Sequence, residues 1–170
     1  MIYKKNNKYF DTAVGGTIKT DKGYITNPTE EQLKASGWKE YTAPKPTLQE
    51  VKRNKLFELE EYDKSSEVNE AYINTIPFWI TREERSSLAN SANAESTAGR
   101  TTTKLLSNGE VYEIPIPSFL LMIARLELYA KDCYIATATH KANIDKLTTI
   151  QEVEEYDFTK GYPQKETFKL

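Results

Sequence analysis

The residues best suited to chemistry are the single histidine, His140, and the single cysteine, Cys133. Such a pair could form a nucleophile with its base, or two ligands of one metal ion. The two residues lie on one predicted helix, and their spacing separates them by roughly 10 Å along the axis. Because that separation is too long for either role, we interpret both as packing residues, with His140 hydrogen-bonded. We predict no catalytic, cofactor-binding or metal-binding residue and no cofactor.

Carboxylates cluster in two similar segments, residues 58–63 (ELEEYD) and 152–157 (EVEEYD). Paired carboxylates can hydrolyse glycosides or bind Ca²⁺, but on the outside of helices they are typical of a solvated face. Phosphate-binding glycine motifs and the G-x-S-x-G nucleophile motif are absent. Arg82, Arg85 and Arg100 flank a polar segment without a series of aromatic residues beside them, so we interpret them as ion-pairing surface groups.

Composition excludes several classes of protein. The 170 residues include 23 Lys and Arg against 25 Asp and Glu, a net charge of −2 that does not favour nucleic-acid binding. No apolar run is long enough for a membrane span. One cysteine cannot form an internal disulfide, and the N-terminal MIYKKNNKYF lacks the apolar segment of a signal peptide. We therefore expect a protein made in a reducing cytoplasm, without membrane or nucleic-acid partners.

The element that organises the chain is a helix predicted over residues 118–147, which contain neither glycine nor proline. Residues in a 4,3 alternation from Phe119 to Leu147 form one mainly apolar seam, as in a helix with a buried side. A second apolar line lies on another side of the helix and consists of Leu121, Leu128, Ile135 and Ala142. We expect the predicted hairpins to cover the faces that the other helices leave open, so that this helix is the internal spine of the fold.

A small β-containing unit is predicted over residues 1–41. Short strand candidates at residues 13–18 and 23–26 precede a short helix that starts at Asn27 or Thr29 and ends at Gly37. Trp38 is expected to pack back onto the end of this helix. Residues 42–46 (TAPKP) hold two prolines in three residues and predict a linker.

Residues 47–170 predict a second domain, of α+β class, in which helices and short antiparallel hairpins pack around the long helix. Thr47 with Glu50, and Thr81 with Glu84, form capping boxes that start two helices. Hairpins are predicted over residues 68–80 and over residues 101–114, the latter with the strong turn dipeptide Asn108-Gly109. The helix over residues 81–98 is small and polar, which indicates either an ordinary surface helix or a protein contact.

An ordered set of motifs resembles a known family. They are Phe78-Trp79 before the polar helix, AGRT at residues 98–101, LELYA at 126–130 with Cys133-Tyr134, HKA at 140–142, and YDF at 156–158 followed by GYP at 161–163. With NPTEEQLKASGWKEY at residues 27–41, they resemble a domain of unknown function common in phages and prophages of gut bacteria. Its genes lie among tail genes, sometimes behind segments like those of tail-fibre assembly proteins. The resemblance covers about residues 24–163.

The resemblance implies a phage virion protein, tail-associated, that acts by protein–protein docking in several copies, with other tail or virion proteins as partners. Its location would be the virion, assembled in the host cytoplasm, and it would not be an enzyme. A tail-fibre assembly chaperone and a glycan-binding module remain alternatives. The predicted interface residues are aromatic residues near the joint and the tail and polar residues of the 81–98 helix: Tyr24, Trp38, Tyr41, Arg82, Arg85, Asn90, Asn93, Arg100, Tyr162 and Phe168.

Overall fold

The structure, a computed structural model, describes residues 1–170 and falls into two units, Met1–Pro46 and Thr47–Leu170. The predicted α+β class is confirmed, since both units combine helices with short strands and one long helix dominates the second unit. None of the helices has both the length and the hydropathy needed to cross a lipid bilayer.

The first unit contains two small antiparallel sheets and one short helix. Its elements are β1 (Ile2–Lys5), β2 (Lys8–Asp11), β3 (Thr17–Thr20), β4 (Gly23–Thr26), α1 (Glu30–Ala35) and β5 (Lys39–Glu40). Strand β1 lies between β2 and β5, and β3 pairs with β4. The strand predicted at residues 13–18 begins only at Thr17, because Gly15 and Gly16 both have positive φ angles, of 74° and 139°, and bend the chain.

The core of this unit includes Trp38. Gly37 ends α1 with a φ of 80°, and the Trp38 amide then donates to the Leu33 carbonyl at 3.0 Å, as in a Schellman cap. The indole packs edge-on against Phe10, with 6.2 Å between ring centroids, and is only 9% exposed. Trp38 packs back as expected, but its prediction as an interface residue is wrong because the α1 cap turns the side chain into the core.

The second unit contains four helices and five strands. Its elements are α2 (Leu48–Lys64), β6 (Ala71–Ile73), β7 (Ile76–Phe78), α3 (Arg82–Thr97), β8 (Thr102–Ser107), β9 (Glu110–Pro115), α4 (Ile116–Lys146), α5 (Ile150–Glu155) and β10 (Thr167–Phe168). Strand β6 pairs with β7 on one side and, in parallel, with β10 on the other. Strands β8 and β9 form the hairpin predicted at Asn108-Gly109, where both φ angles are positive.

Helix α4 buries the predicted seam. Six of its members have buried side chains: Phe119, Ile123, Leu126, Cys133, Thr137 and Ile144. Helices α2 and α3 pack against α4, as does the β8–β9 hairpin. The helix begins two residues before the predicted start, because Pro117 lies in the first turn, where the amide hydrogen that proline lacks is not needed.

Local sequence signals start the other helices. Thr47, Thr81 and Thr149 each accept a hydrogen bond from the backbone three residues later, while a glutamate at that third position bonds back to the threonine amide. These capping glutamates are Glu50, Glu84 and Glu152. The hydrogen bonds that Glu50 and Glu84 accept from the threonine at the cap lower the pKa of each carboxyl below its usual value of 4.5. The pKa of Glu152 is lowered first by the Thr148 amide and then by Thr149 at the cap.

Candidate docking surface

An exposed apolar stripe runs along α4 on a different side from the buried seam. Its large members are Leu121, Leu128 and Ile135, which are 62%, 58% and 50% exposed. They repeat every seven residues, so they lie almost in line on the helix surface. Exposed Ala142 continues the same line, and exposed Ala124 and Ala138, each three residues after a large member, widen it. We call Leu121, Ala124, Leu128, Ile135, Ala138 and Ala142 the α4 stripe.

The expectation that other elements cover this line is wrong. The hairpins pack on the seam side and contribute Phe78, Leu105 and Ile114 to the core cluster that contains Phe119. Val111, in strand β9 of the second hairpin, does not contribute to this cluster and is 61% exposed. A helix of 31 residues can bury one stripe against its own domain and still present another to solvent.

Helix α3 is joined to α4 along one side of the stripe. The Arg85 guanidinium donates to Glu127 Oε2 at 2.8 Å and to the Ile80 carbonyl at 2.6 Å, and it lies 5.5 Å from the centroid of the Trp79 ring. These contacts join α3, the end of β7 and α4. Beside them Tyr134, 73% exposed, lines a shallow depression of about 340 Å³.

Arg85 therefore forms an ion pair, as expected, but it is not a surface group. Only 4% of it is exposed, because the acceptors offered by Ile80 and Glu127 and the ring of Trp79 hold the guanidinium inside the domain. Its prediction as an interface residue is wrong. Arg82, one turn earlier on α3, is exposed as expected.

The C-terminal tail contacts α4 along the other side of the stripe. Arg125 forms an ion pair with Glu166, and its guanidinium lies 4.9 Å from the ring centroid of Phe168. Phe168 is 7% exposed and packs against Phe78, because β10 adds to the sheet of β6 and β7. Its prediction as an exposed interface residue is wrong for that reason.

The only histidine connects α4 to the tail. His140 Nε2 lies 2.8 Å from the Lys160 carbonyl, which can only accept, so this nitrogen carries the hydrogen. Nδ1 then accepts from the Tyr156 hydroxyl at 2.8 Å. The imidazole also stacks on Tyr162, with 5.7 Å between centroids. Both ring nitrogens are thus used in holding the tail to the helix.

Cys133 and its neighbours pack under the same helix. The thiol is buried with Tyr129, Val68 and Tyr62, and burial raises the pKa of the Cys133 thiol. The Tyr129 hydroxyl donates to the Val68 carbonyl at 2.7 Å, and burial raises the pKa of this tyrosine too. A buried thiol with a raised pKa is a poor nucleophile. No group of three or more histidine, cysteine, aspartate or glutamate side chains is arranged to hold a metal ion.

The two carboxylate clusters also have structural partners. Asp63 accepts from the Thr137 hydroxyl at 2.6 Å, which ties the end of α2 to α4. Asp157 accepts from the Thr159 hydroxyl and amide and pairs with Lys160 at 3.0 Å. These contacts, the Thr159 hydroxyl first, hold the pKa of the Asp157 carboxyl far below its usual value of 3.8.

The remaining predicted interface residues are divided between the two units. Tyr24 lies in the first unit and is exposed, while Tyr41 is half-buried and packs on Tyr9 at 5.0 Å. Tyr162 is half-buried because its hydroxyl bonds to Thr137 and its ring packs on Tyr62. The exposed polar ones in the second unit are Arg82, Asn90, Asn93 and Arg100.

A second, smaller apolar surface lies between α3 and the β8–β9 hairpin. It is a groove of about 400 Å³ with Trp79 and Leu88 in its wall and Glu84, Ser87 and Lys104 around it. The groove combines two aromatic residues, Phe78 and Trp79, with several polar groups.

None of the predicted interface residues belongs to the α4 stripe. The seven-residue repeat of Leu121, Leu128 and Ile135 was visible in the sequence, but their exposure depends on where the rest of the domain packs. No protein-family model, curated protein or solved structure matches this chain.

Proposed function

We propose that this chain is a structural or adaptor protein of a phage particle, associated with the tail, that acts by docking onto virion proteins. The α4 stripe carries this proposal. Burying a large aliphatic side chain contributes about 1.5–3 kcal/mol, and the stripe aligns three that are half or more exposed. Exposed apolar side chains aligned on one face of a helix in this way favour a protein contact.

A binding role without catalysis is supported by the groups that could do chemistry. His140 uses both ring nitrogens in packing the tail, Cys133 is buried, and Asp63 and Asp157 accept hydrogen bonds from neighbouring hydroxyls. The assignment to a phage particle, present in several copies and assembled in the host cytoplasm, rests on the motifs that resemble the phage tail-associated domain.

Quantitative mass spectrometry of purified particles tests the role. The phage or induced prophage that encodes the chain is purified, and the chain is measured relative to the tail proteins. We expect several copies in each particle. Particles free of the chain contradict the proposal. If the chain is instead found bound to the fibre in infected-cell lysate and is substoichiometric in particles, the assembly-chaperone alternative is correct.

The groove beside Trp79 favours glycan binding as a second candidate function. An aromatic ring with nearby carboxylate, hydroxyl and ammonium groups suits a sugar, which offers an apolar face and a rim of hydroxyls. A glycan array probed with the wild-type chain and with Trp79→Ala tests this candidate. Saturable binding lost in the variant supports it, and equal signals for both proteins exclude it.

A further inference from the structure

The charged residues beside the α4 stripe have a distinctive order. Lys131 and Asp132 are consecutive and exposed, and neither side chain makes an ion pair or hydrogen bond within the chain. Arg125, one heptad before Asp132, lies on the tail side of the stripe. Glu127, one heptad before Tyr134, lies on the α3 side. These charges distinguish the two directions in which a second α4 could pack.

In a parallel pair of α4 helices, each residue of the stripe would face the same residue of the second copy. Lys131, which interrupts the apolar line, would face Lys131 of the second copy. Glu127 would lie near Asp132 of the second copy, because residues five apart meet across a parallel seam. Both contacts join like charges, so the parallel arrangement is disfavoured.

An antiparallel pair puts Glu127 and Asp132 of the second copy on opposite sides of the seam. It also moves the two Lys131 side chains from directly opposite each other into neighbouring layers, about 4.5 Å apart along the axis. With the twofold axis between residues 129 and 130, each large side chain of the stripe meets a smaller or flexible one. The facing pairs are Leu121 with Ala138, Ala124 with Ile135, and Leu128 with the stem of Lys131. The same register places Arg125 beside Asp132, and Glu127 beside the hydroxyl of Tyr134. Because the axis is twofold, each pair occurs twice.

We propose that the α4 stripe binds the same stripe of a second copy of this chain, with the two helices antiparallel. This inference rests on the proposed function, since it names the partner of the same docking surface. The guanidinium of Arg125 has five N–H donors, so it can bind Asp132 of the second copy and keep Glu166. The alanines allow the helix axes to approach to about 8 Å.

The length of the stripe sets the strength of the contact. From Leu121 to Ala142 it extends for about 32 Å, and it is one helix wide. Such a contact falls below the roughly 1,200 Å² of a standard stable interface, in the class of weak complexes. We therefore expect a dimer that dissociates in the micromolar range and is populated where many copies are held together.

Sedimentation velocity of the full chain tests the dimer, over about 1 to about 300 µM. Wild type is compared with Leu128→Glu, at the centre of the stripe, and with Phe57→Glu. Phe57 is a matched control, since it lies within helix α2 and is 64% exposed. We expect wild type and Phe57→Glu to dimerise alike, and Leu128→Glu to raise Kd at least about tenfold. Far-UV circular dichroism checks that each variant is folded.

Disulfide formation tests the direction. Chains carrying Leu121→Cys and chains carrying Ala138→Cys are oxidised separately and as a mixture. The antiparallel register predicts a crosslink in the mixture and little in either chain alone, because like positions lie about 25 Å apart along the axis for residue 138. Cys133 is 4% exposed and does not compete.

The possible failures are distinguishable. A wild-type chain that stays monomeric over the whole range overturns the self-association, as does a crosslink formed by Ala138→Cys alone, which means a parallel pair. Neither result bears on the presence of the chain in particles, which decides the proposed function separately. Conversely, a dimer that is absent from particles keeps the self-association and ends the virion role.

Discussion

Replacing Arg85 with alanine tests how the second unit holds α4 in place. The buried guanidinium donates to the Ile80 carbonyl at 2.6 Å and to Glu127 at 2.8 Å. A hydrogen bond that involves a charged group contributes about 1.5–3 kcal/mol, and a buried carbonyl left without its donor costs about 1–3 kcal/mol. Glu127 is half-exposed and can turn to water, so it adds little to the loss. We expect Arg85→Ala to lower the free energy of unfolding by about 3 kcal/mol.

Urea unfolding followed by circular dichroism at 222 nm measures this change, because most helical residues lie in the second unit. Arg82→Ala is the matched control: the same substitution, one turn away, at an exposed position, with an expected change within about 0.5 kcal/mol. The loss of stability for Arg85→Lys should lie between the losses for these two variants, since an ammonium can still donate to one of the two acceptors. A loss for Arg85→Ala that equals the loss for Arg82→Ala would refute this reasoning.

Two further predictions follow from burial and from the carboxyl groups. Leu126→Ala should lower the free energy of unfolding by about 3 kcal/mol, because the Leu126 side chain is fully buried. Leu128→Ala, on the same helix, should lower it by less than about 0.5 kcal/mol. Similar losses for the two variants in urea unfolding would contradict the assignment of the two faces. Asp157 and the capping glutamates have pKa values that are lower in the folded chain than in the unfolded one, so the unfolded state binds more protons in acid. The stability that these groups contribute should be complete above about pH 5 and fall as the pH drops toward about 3. Thermal unfolding between those pH values should show a smaller loss for Glu84→Gln, which cannot titrate, and an equal loss would show that this cap does not contribute.

The elements that the sequence predicted well depend on neighbouring residues. The Thr81 and Glu84 capping box places the start of α3, and Asn108-Gly109 places the turn between β8 and β9, because their hydrogen bonds and φ angles are local. The 4,3 seam of α4 identified its buried side for a similar reason, since apolar periodicity is a property of one helix.

The predictions that failed depend on distant partners. Arginine is usually a surface residue. The burial of Arg85 is favourable only because the Ile80 carbonyl and the Glu127 carboxylate, from other parts of the chain, accept its hydrogen bonds. Phe168 is buried because β10 pairs with β6, which lies about 95 residues earlier in the chain. The apolar periodicity of Leu121 and Leu128 likewise indicates that this face of α4 packs against a partner. It does not indicate whether that partner belongs to the same chain.

The most direct test of the docking surface is the amount of chain in particles when the α4 stripe is altered. Phage genomes carrying Leu128→Glu or Phe57→Glu are propagated, and the chain is measured in purified particles and in the lysates. We expect Phe57→Glu to be incorporated like wild type and Leu128→Glu to fall at least about tenfold, with equal amounts of both proteins in the lysates. Equal incorporation of the two variants would contradict the role of the α4 stripe.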